Sequence, residues 1–283
     1  MRTLALAIAL VITGCGDSDG PDPDEPIPPQ DGTFSALSYN VAGLPQGLSG
    51  SEPEEYITLI SPLLNGYDLV LVQEDFVYHA ELSAEANHPH QSEPKTDNVK
   101  LVADGLNRFS QFAFDALDRV QWAVCFGDAT TGSGDCLAEK GFSMATTTFG
   151  DRVTIDVYNF HADAGGGAED IAAREVGIAQ LIDYILEHSA GHALIVGGDT
   201  NLHADDPPDQ ALLTKLKDET GLIDACLHLD CGQDEIDRFF FRPGETVDVV
   251  PTSWQLAGEF VTSGGEDLSD HPALHVDFAW KTL

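Results

Sequence analysis

The sequence predicts an α/β fold, a layered sandwich of helices and mixed β-sheets that forms one domain. Apolar segments with the spacing of strands alternate with segments of helical periodicity along most of the chain. Gly150 separates two strand-like runs and indicates a hairpin, so some neighbouring strands are expected to be antiparallel. After about residue 33 there is neither an internal repeat nor a second Pro/Gly-rich boundary. We therefore expect a single domain over residues 33–283.

Each predicted element follows from its local pattern. Residues 34–41 alternate apolar and polar side chains, as a half-buried strand does, and residues 67–73 form the short apolar run of a buried strand. Residues 168–188 place isoleucines and leucines on one face at helical spacing. The other predicted helices are 97–109 and 208–218, and the other predicted strands are 142–148, 152–160, 192–196, 235–241, 247–253 and 272–280.

The charge balance is strongly acidic, with 13 Lys+Arg against 48 Asp+Glu and a formal net charge of −35. Proteins that bind nucleic acid non-catalytically, or that bind anionic membranes electrostatically, depend on clustered Lys and Arg. The composition therefore argues against both classes. It does not exclude a nuclease, because bound divalent cations reverse the local sign of a cleft.

The amino terminus has the pattern of an export signal. Arg2 precedes an apolar run over residues 4–12 that is too short for a stable membrane-spanning helix. The run ends in the tetrapeptide ITGC, which resembles a bacterial lipobox. The resemblance implies a lipoprotein signal peptide over residues 1–14, acylation of Cys15, and a protein exported and lipid-anchored to a bacterial cell membrane, in the periplasm or at the cell surface. A plain secretory signal beside a cysteine is the alternative.

Residues 15–32 form an acidic, proline-rich segment. Between residues 16 and 32 there are five prolines, six Asp or Glu and no Lys or Arg. Such a segment buries little apolar surface and repels itself. We expect an extended, disordered tether between the predicted anchor and the domain.

Four cysteines remain after the predicted anchor, namely Cys125, Cys136, Cys226 and Cys231. No two of them form a CxxC pair, which argues against a zinc site. In an exported protein an even number of cysteines favours disulfides, and four cysteines allow three pairings. The local pairing, Cys125 with Cys136 and Cys226 with Cys231, would close two short surface loops. Free buried thiols are the alternative.

Polar side chains follow the apolar runs at the points where the predicted strands end. They are Asn40, Glu74, Asn159, His161, Asp199 and Asn201, and Asp270 and His271 stand directly before the last strand. Strand ends bring residues that are distant in sequence to one edge of a sheet, where functional sites are built. Carboxylate and amide oxygens suit Mg²⁺, and the sequence offers no thiolate cluster for a softer metal. We therefore expect a site for a hard divalent cation at these strand ends.

Taken in order, these segments resemble a known family. SYNVAGLP, LVLVQEDF, VYNFHADAG, LIVGGDTN, EIDRFFF and LSDHPALHV follow the motif order of the endonuclease/exonuclease/phosphatase superfamily. YNVAGLP and the His-x-Asp-x-Gly segment are most similar to its neutral sphingomyelinase-like branch. The resemblance implies a four-layered α/β sandwich with two mixed central β-sheets. It also implies hydrolysis of phosphate esters that depends on Mg²⁺ or Mn²⁺.

The resemblance assigns the metal-binding roles residue by residue. Glu74 would be the main metal ligand, and Asn40 would assist at the metal or the phosphate. Asp270 would bind metal or fix the tautomer of His271.

It assigns the catalytic roles in the same way. Asp199 would orient and deprotonate the attacking water, alone or with His271. Asn201 would hold a phosphate oxygen or the water. His161 would donate a hydrogen bond to the phosphoryl group and help to protonate the leaving oxygen. The division of acid and base roles between the two histidines stays open. The predicted supporting residues are Asn159, Asp163 (an orienter of the site or a loop cap) and Asp237 (support for the phosphate or the sheet).

The leading expectation is a sphingomyelinase-like phosphodiesterase that acts as a monomer. With so few Lys and Arg side chains, the protein would neutralise few phosphates of duplex DNA. An acidic surface, by contrast, tolerates or attracts the choline of a phosphocholine lipid. A secreted deoxyribonuclease, with nucleic acid as substrate of the same site, is the main alternative. A phosphomonoesterase and a catalytically inactive lipoprotein interaction module are less favoured.

Overall fold

The computed structural model describes residues 29–283. The predicted signal peptide, Cys15 and the tether up to residue 28 lie outside the described residues. The first strand begins at Asp31, so the last two residues of the predicted tether belong to the folded part. Within the described range, no helix combines the length and apolar character needed to cross a membrane.

In this part of the chain twelve strands form two six-stranded sheets. The strands are β1 (Asp31–Asn40), β2 (Leu69–Gln73), β3 (His90–Gln91), β4 (Asn107–Ser110), β5 (Asp118–Gln121), β6 (Gly141–Gly150), β7 (Val153–His161), β8 (Leu194–Asp199), β9 (Ile223–Asp224), β10 (Asp237–Arg242), β11 (Val247–Leu256) and β12 (Leu274–Thr282). The order is β11-β12-β1-β2-β4-β3 in sheet 1 and β5-β6-β7-β8-β10-β9 in sheet 2.

Each sheet is built around one parallel strand pair. β1 is parallel to β2 in sheet 1, and β7 is parallel to β8 in sheet 2. The remaining pairs are antiparallel, including the β6–β7 hairpin predicted around Gly150. Parallel neighbours need a crossover, and a helix supplies it in both cases, α1 (Pro53–Leu63) and α3 (Ala168–His188). The prediction of mixed sheets is confirmed.

The helices and sheets stack in four layers. Phe34, Leu71, Ile155 and Phe239 belong to a buried cluster in which the two sheets face each other. The outer face of sheet 2 packs against α3 and α4 (Pro207–Thr220), and the outer face of sheet 1 packs against α1 and the short α2 (His79–Ser83). A fifth helix, α5 (Ala225–His228), lies beside β10. The four-layered sandwich is therefore confirmed.

One local prediction is wrong, and one helix of the structure was not predicted. The predicted helix at 97–109 is wrong, because this segment is irregular up to β4. Gly105 has a left-handed backbone (φ +63°), and the backbone of Val102 pairs with Leu137 and Ala138 instead of its own turn. The helix α1 was not predicted; it begins at Pro53, a favourable first helical position, but Pro62 in its last turn obscures the pattern.

Both local disulfides form. Cys125 bonds Cys136 with a Cα–Cα distance of 5.3 Å, and Cys226 bonds Cys231 with a Cα–Cα distance of 5.0 Å. The structure thus selects the local pairing among the three that the sequence allows. The first bond closes residues 126–135, which we call the disulfide loop, and the second closes the turn after α5.

Candidate active site

Four of the predicted residues lie at the carboxyl ends of the two parallel strand pairs. Asn40 ends β1 and Glu74 directly follows β2, while His161 and Asp199 end β7 and β8. His161 and Asp199 are register partners, and Asp237 of β10 faces Asp199 from the other side. Since the carboxyl ends of parallel strands share an edge and the sheets pack face to face, both pairs open on one cleft.

Asp199 is the point at which the polar groups meet. Its Oδ2 lies 3.3 Å from His161 Nε2 and 3.7 Å from His271 Nε2, and it accepts a hydrogen bond from Asn40 Nδ2 at 3.2 Å. Asn40 Nδ2 also lies 3.4 Å from Glu74 Oε1, and His161 Nε2 lies 3.9 Å from the same oxygen. The structure therefore brings together five residues that span positions 40 to 271.

His271 is held by a carboxylate of the opposite sheet. Its Nδ1 lies 2.8 Å from Asp237 Oδ2, and its backbone N–H donates to Ser269 Oγ at 3.3 Å. Ser269 Oγ donates in turn to the backbone oxygen of Asn40 at 2.6 Å. Asp270 is exposed, and its Oδ1 lies 3.4 Å from Ser269 Oγ. Of the two roles predicted for Asp270, fixing the tautomer of His271 falls to Asp237, which occupies that position, and the role of metal ligand stays a prediction.

Two residues of the cleft adopt a left-handed backbone, Glu74 with φ +57° and Asn201 with φ +48°. This conformation costs Glu74 about 1 kcal/mol or more, whereas asparagine adopts it more readily. At Glu74, the backbone oxygen accepts from Gly43 and Phe76, which fixes the turn. At Asn201, the backbone N–H donates to Asp199 Oδ1 at 3.0 Å, which holds the second carboxylate oxygen. Strain of this kind is common at functional sites.

The supporting residues are placed differently from one another. Asn159 accepts from Gln73 and donates to the backbone oxygens of Val72 and Asn107, so its amide cross-links the sheets and does not face the cleft. Asp163 accepts from the backbone N–H of Phe126 at 2.9 Å, which anchors the disulfide loop. Among residues 29–283 the buried Nδ1 of His161 has no hydrogen-bond partner, so Asp163 does not orient His161 by a hydrogen bond.

Asp199 and His271 carry opposite charges at neutral pH. Burial alone would raise the pKa of Asp199, but the hydrogen bond from His161 and the nearby His271 and Lys140 hold this pKa well below its usual range. Burial alone would lower the pKa of His271, but the hydrogen bond and charge of Asp237, together with Asp199, raise this pKa to about 10. The site thus pairs a buried carboxylate anion with an imidazolium cation, and each stabilises the charged form of the other.

Lys140 is a residue of the cleft that sequence reasoning missed. Its buried Nζ lies 2.5 Å from Asp135 Oδ1 and donates to the backbone oxygen of Ala162 at 3.3 Å. Burial would lower its pKa, but Asp135, Glu74 and Asp199 outweigh burial and raise it. A lysine kept charged beside two site carboxylates can attract a phosphate group. The only signal in the sequence is a rare cation directly before β6.

A pocket of about 500 Å³ adjoins the polar cluster. Glu74, Lys140 and Asp135 line its polar side, and Leu44, Leu101 and Leu137 line its apolar side. The disulfide loop forms part of the wall. A ligand with both a charged and an apolar part fits such a lining better than a uniformly polar one.

The residues present fit a hard divalent cation at Glu74. The Glu74 side chain is 19% exposed, and within the described residues its carboxylate makes only the long contacts to Asn40 and His161, so it keeps capacity for a cation. Asn40 Oδ1 accepts from the backbone N–H of Ala42 at 3.1 Å, so Asn40 links Glu74 to Asp199 here and its role as a ligand stays a prediction. Asp199, Asp237 and His271 also lie within 4.8 Å of one another, but His271 and Asp237 already pair with each other.

Comparisons with known proteins agree with this geometry. A sequence model of the Endonuclease/Exonuclease/phosphatase family matches residues 37–271. Sphingomyelinases of Mycobacterium tuberculosis (strain H37Rv) and Mycobacterium bovis are 35% identical over 270 residues, which cover 87% of this chain and 53% of theirs. The chain therefore spans about half the length of the curated relatives it matches.

Solved structures share the fold. Sphingomyelinase C from Streptomyces griseocarneus superposes with a TM-score of 0.63 at 18% identity, over 87% of this chain and 99% of that one. A beta toxin variant from Staphylococcus aureus with bound magnesium ions gives 0.63 at 13% identity, over 87% and 99%. TDP2 from D. rerio with a single-strand DNA product gives 0.65 at 18% identity, over 87% and 98%. From the matched motifs and the shared sandwich, the chain belongs to the endonuclease/exonuclease/phosphatase family.

Proposed function

We propose that this chain is a phosphodiesterase, dependent on Mg²⁺ or Mn²⁺, that cleaves a phosphocholine lipid of the sphingomyelin type. The observation that carries the proposal is the convergence of Glu74, Asp199 and His271 on one cleft beside a pocket with an apolar wall. The 35% identity to sphingomyelinases supports the choice of substrate.

The protein groups divide the proton chemistry between them. Asp199, ionised at neutral pH and held by Asn201 and Asn40, accepts a proton from the water that attacks phosphorus. His271, protonated beside Asp237, donates a proton as the bond from phosphorus to the leaving oxygen breaks. His161 Nε2 and Lys140 stabilise negative charge on the phosphoryl oxygens. One water is consumed, and the two products are an alcohol and a phosphomonoester.

The cation would be held by Glu74, with Asn40 beside it. When bound, Mg²⁺ or Mn²⁺ supplies Lewis-acid stabilisation of charge on the phosphoryl group.

The charge of the molecule favours a zwitterionic substrate over a polyanion. A formal net charge of −35 slows the approach of duplex DNA and leaves few cations to contact successive phosphates. A phosphocholine head group carries one phosphate and one compensating cation, so it escapes this repulsion. The apolar residues of the pocket, such as Leu44 and Leu137, suit the lipid part of the molecule.

The test is a hydrolysis screen of the purified full chain on sphingomyelin, phosphatidylcholine, duplex DNA and a phosphomonoester, each in excess EDTA and with added Mg²⁺ or Mn²⁺. We expect sphingomyelin to give the highest kcat/KM, no turnover in EDTA, and recovery with either cation. Efficient DNA cleavage without sphingomyelin turnover would transfer the assignment to a deoxyribonuclease. Full turnover in EDTA would remove the metal from the mechanism.

Export and lipid anchoring belong to the same proposal. They rest on the ITGC tetrapeptide, and the two disulfides agree with an oxidising compartment. In a bacterial host we expect labelled fatty acid to enter the full chain and not the Cys15→Ala variant, which should leave the membrane fraction. Label retained by the variant would contradict the lipobox.

A further inference from the structure

Apolar side chains are unusually exposed around the mouth of the active-site pocket. In the described residues, the five most exposed large apolar side chains are Val99 (88%), Leu283 (72%), Leu48 (67%), Leu101 (65%) and Leu227 (62%). Leu48 and Leu101 line the pocket that contains Glu74, and Val99 is two residues from Leu101. We call Leu48, Val99 and Leu101 the apolar rim. Grouped exposed apolar residues mark interaction surfaces, whereas scattered single ones are ordinary.

Hydrogen bonds hold the two segments that carry this rim. On one side, Val99 N–H donates to Glu139 Oε1 at 2.6 Å, and Val102 N–H donates to the backbone oxygen of Leu137 at 3.1 Å. On the other side, Leu48 N–H donates to the backbone oxygen of Pro45 at 2.9 Å in a turn. Val99 and Leu101 are therefore held against the rest of the fold, and Leu48 is held within a local turn.

We propose that the apolar rim docks on the surface of a zwitterionic lipid bilayer and places the pocket over the substrate head groups. The proposal rests on the proposed function, which it extends from the lipid molecule to the lipid surface. Side chains of this kind insert at the boundary between head groups and acyl chains. Leu44 and Phe76 continue the apolar surface from the rim toward Glu74, so a lipid drawn from the bilayer stays in apolar contact.

Charge selects the kind of bilayer. The formal net charge of −35 repels an anionic surface, and the rim offers no cluster of Lys and Arg to overcome that repulsion. Lys95 and Lys100 are the cations nearest in sequence to Val99; Lys95 pairs with Glu139, and Lys100 donates to the backbone oxygen of Ala138. A neutral, zwitterionic surface leaves the apolar contact as the main attraction.

The binding experiment uses flotation with vesicles of phosphatidylcholine. The full chain carries Cys15→Ala throughout, so that acylation contributes nothing. The test variant adds Leu48→Ser, Val99→Ser and Leu101→Ser; the matched control adds Val176→Ser, Leu186→Ser and Leu227→Ser, which are exposed but do not line the pocket. We expect the rim variant to lose about tenfold or more in partition, as the loss of three inserted apolar side chains implies, and the control to bind like the parent.

The activity experiment separates docking from chemistry. Both variants are assayed on sphingomyelin in bilayers and on the water-soluble diester p-nitrophenyl phosphorylcholine. Because Leu48 and Leu101 also line the pocket, the soluble diester is the reference for each variant. We expect the rim variant to lose at least about tenfold more kcat/KM on bilayers than on the soluble diester, with parental melting temperature.

The outcomes distinguish the two proposals. Rim-dependent vesicle binding without sphingomyelin turnover would refute the proposed function and leave the rim intact. Equal bilayer turnover by rim variant and parent would refute the rim and leave the proposed function intact. Stronger binding to anionic vesicles than to phosphatidylcholine would also overturn the proposal. If the rim substitutions change only the oligomeric state, the rim is instead a contact with a second copy of this chain.

Discussion

The two sheets contribute chemically different groups to the same cleft. Sheet 1 ends in Asn40 and Glu74, an amide and a carboxylate, and Glu74 keeps part of its surface open to the pocket. Sheet 2 ends in His161, Asp199 and Asp237, which are all at most 1% exposed. A cation that exchanges with solvent needs an accessible oxygen, whereas proton transfer gains from a buried site in which electrostatic interactions are strong. In the proposed mechanism, this difference gives cation binding to sheet 1 and proton transfer to sheet 2.

His271 joins the two halves. It precedes β12 of sheet 1 in sequence, yet its ring is held by Asp237 of sheet 2. Asn40 makes the reverse connection, since it ends β1 of sheet 1 and donates to Asp199 of sheet 2. The site therefore exists only when the sheets are packed together, and variants of the two sheets should fail in different ways.

The largest effect is expected from Asp199→Asn. The amide keeps the size of the side chain but cannot take a proton from water, so kcat should fall at least ~10²-fold. Raising Mg²⁺ should not restore it, because the lost group handles protons. The measurement is kcat at two Mg²⁺ concentrations. Asp68→Asn, at a carboxylate that pairs with Ser35 away from the cleft, is the matched control and should retain parental turnover.

Glu74→Gln should be the contrasting loss on sheet 1. Removing the charge of the main predicted ligand weakens cation binding, so activity at low Mg²⁺ should fall about 10–100-fold. Here raised Mg²⁺ should recover much of the rate, which a titration of activity against Mg²⁺ measures directly. If Asp199→Asn responds to Mg²⁺ and Glu74→Gln does not, the division of roles between the sheets is reversed.

Asp237→Asn should change the pH profile more than the maximal rate. Burial lowers the pKa of His271, and the hydrogen bond and charge of Asp237 raise it to about 10. If His271 acts protonated, kcat/KM falls as pH rises through this pKa. The variant loses the raising charge, so its alkaline fall should begin at least about one pH unit lower. If the alkaline fall of kcat/KM stays at the same pH in the variant, His271 does not act in its protonated form. Asp270→Asn is the control, and because Asp270 is exposed, it should shift the alkaline fall less than Asp237→Asn does.

Sequence patterns predict the parts of this molecule that depend on local order. The parallel strands around Asn40, Glu74 and Asp199 are short apolar runs followed by polar residues, and the hairpin at Gly150 is marked by its turn. The pairing of His271 with Asp237 was not predictable in this way, because Asp270 is the nearer carboxylate in sequence and the true partner is 34 residues away.

The same reason explains the other failures. Residues 97–109 carry apolar residues at helical spacing, but the backbone of Val102 and Ala103 bonds to residues 137–139 across the pocket wall, and residues 107–109 pair with β2. Lys140 becomes a site residue only because β6 places it beside Asp135, Glu74 and Asp199. Contacts between distant segments, which single-sequence periodicity does not encode, decide each case.

The smallest expected effect concerns Asp163. It tests whether negative charges crowded on the sheet 2 side lower the stability of the fold. Burial, reinforced by Asp135, raises the pKa of Asp163 to about 6, so the folded chain holds this proton more tightly than the unfolded chain, where the pKa is about 3.9. The stability that protonated Asp163 contributes is therefore lost as pH rises from about 4 to about 6. Above pH 6 the folded chain carries the full cost of the buried Asp163 charge.

Asp163→Asn keeps an acceptor for the Phe126 N–H and removes the charge. Its melting temperature should exceed that of the parent by about 2 °C at pH 7.5, and the gain should vanish at pH 4. Asp163→Ala, which also removes the acceptor, should be less stable at both pH values. The contrary result is a melting-temperature difference between Asp163→Asn and the parent that is smaller at pH 7.5 than at pH 4. That result would show that the ionised carboxylate stabilises the disulfide loop.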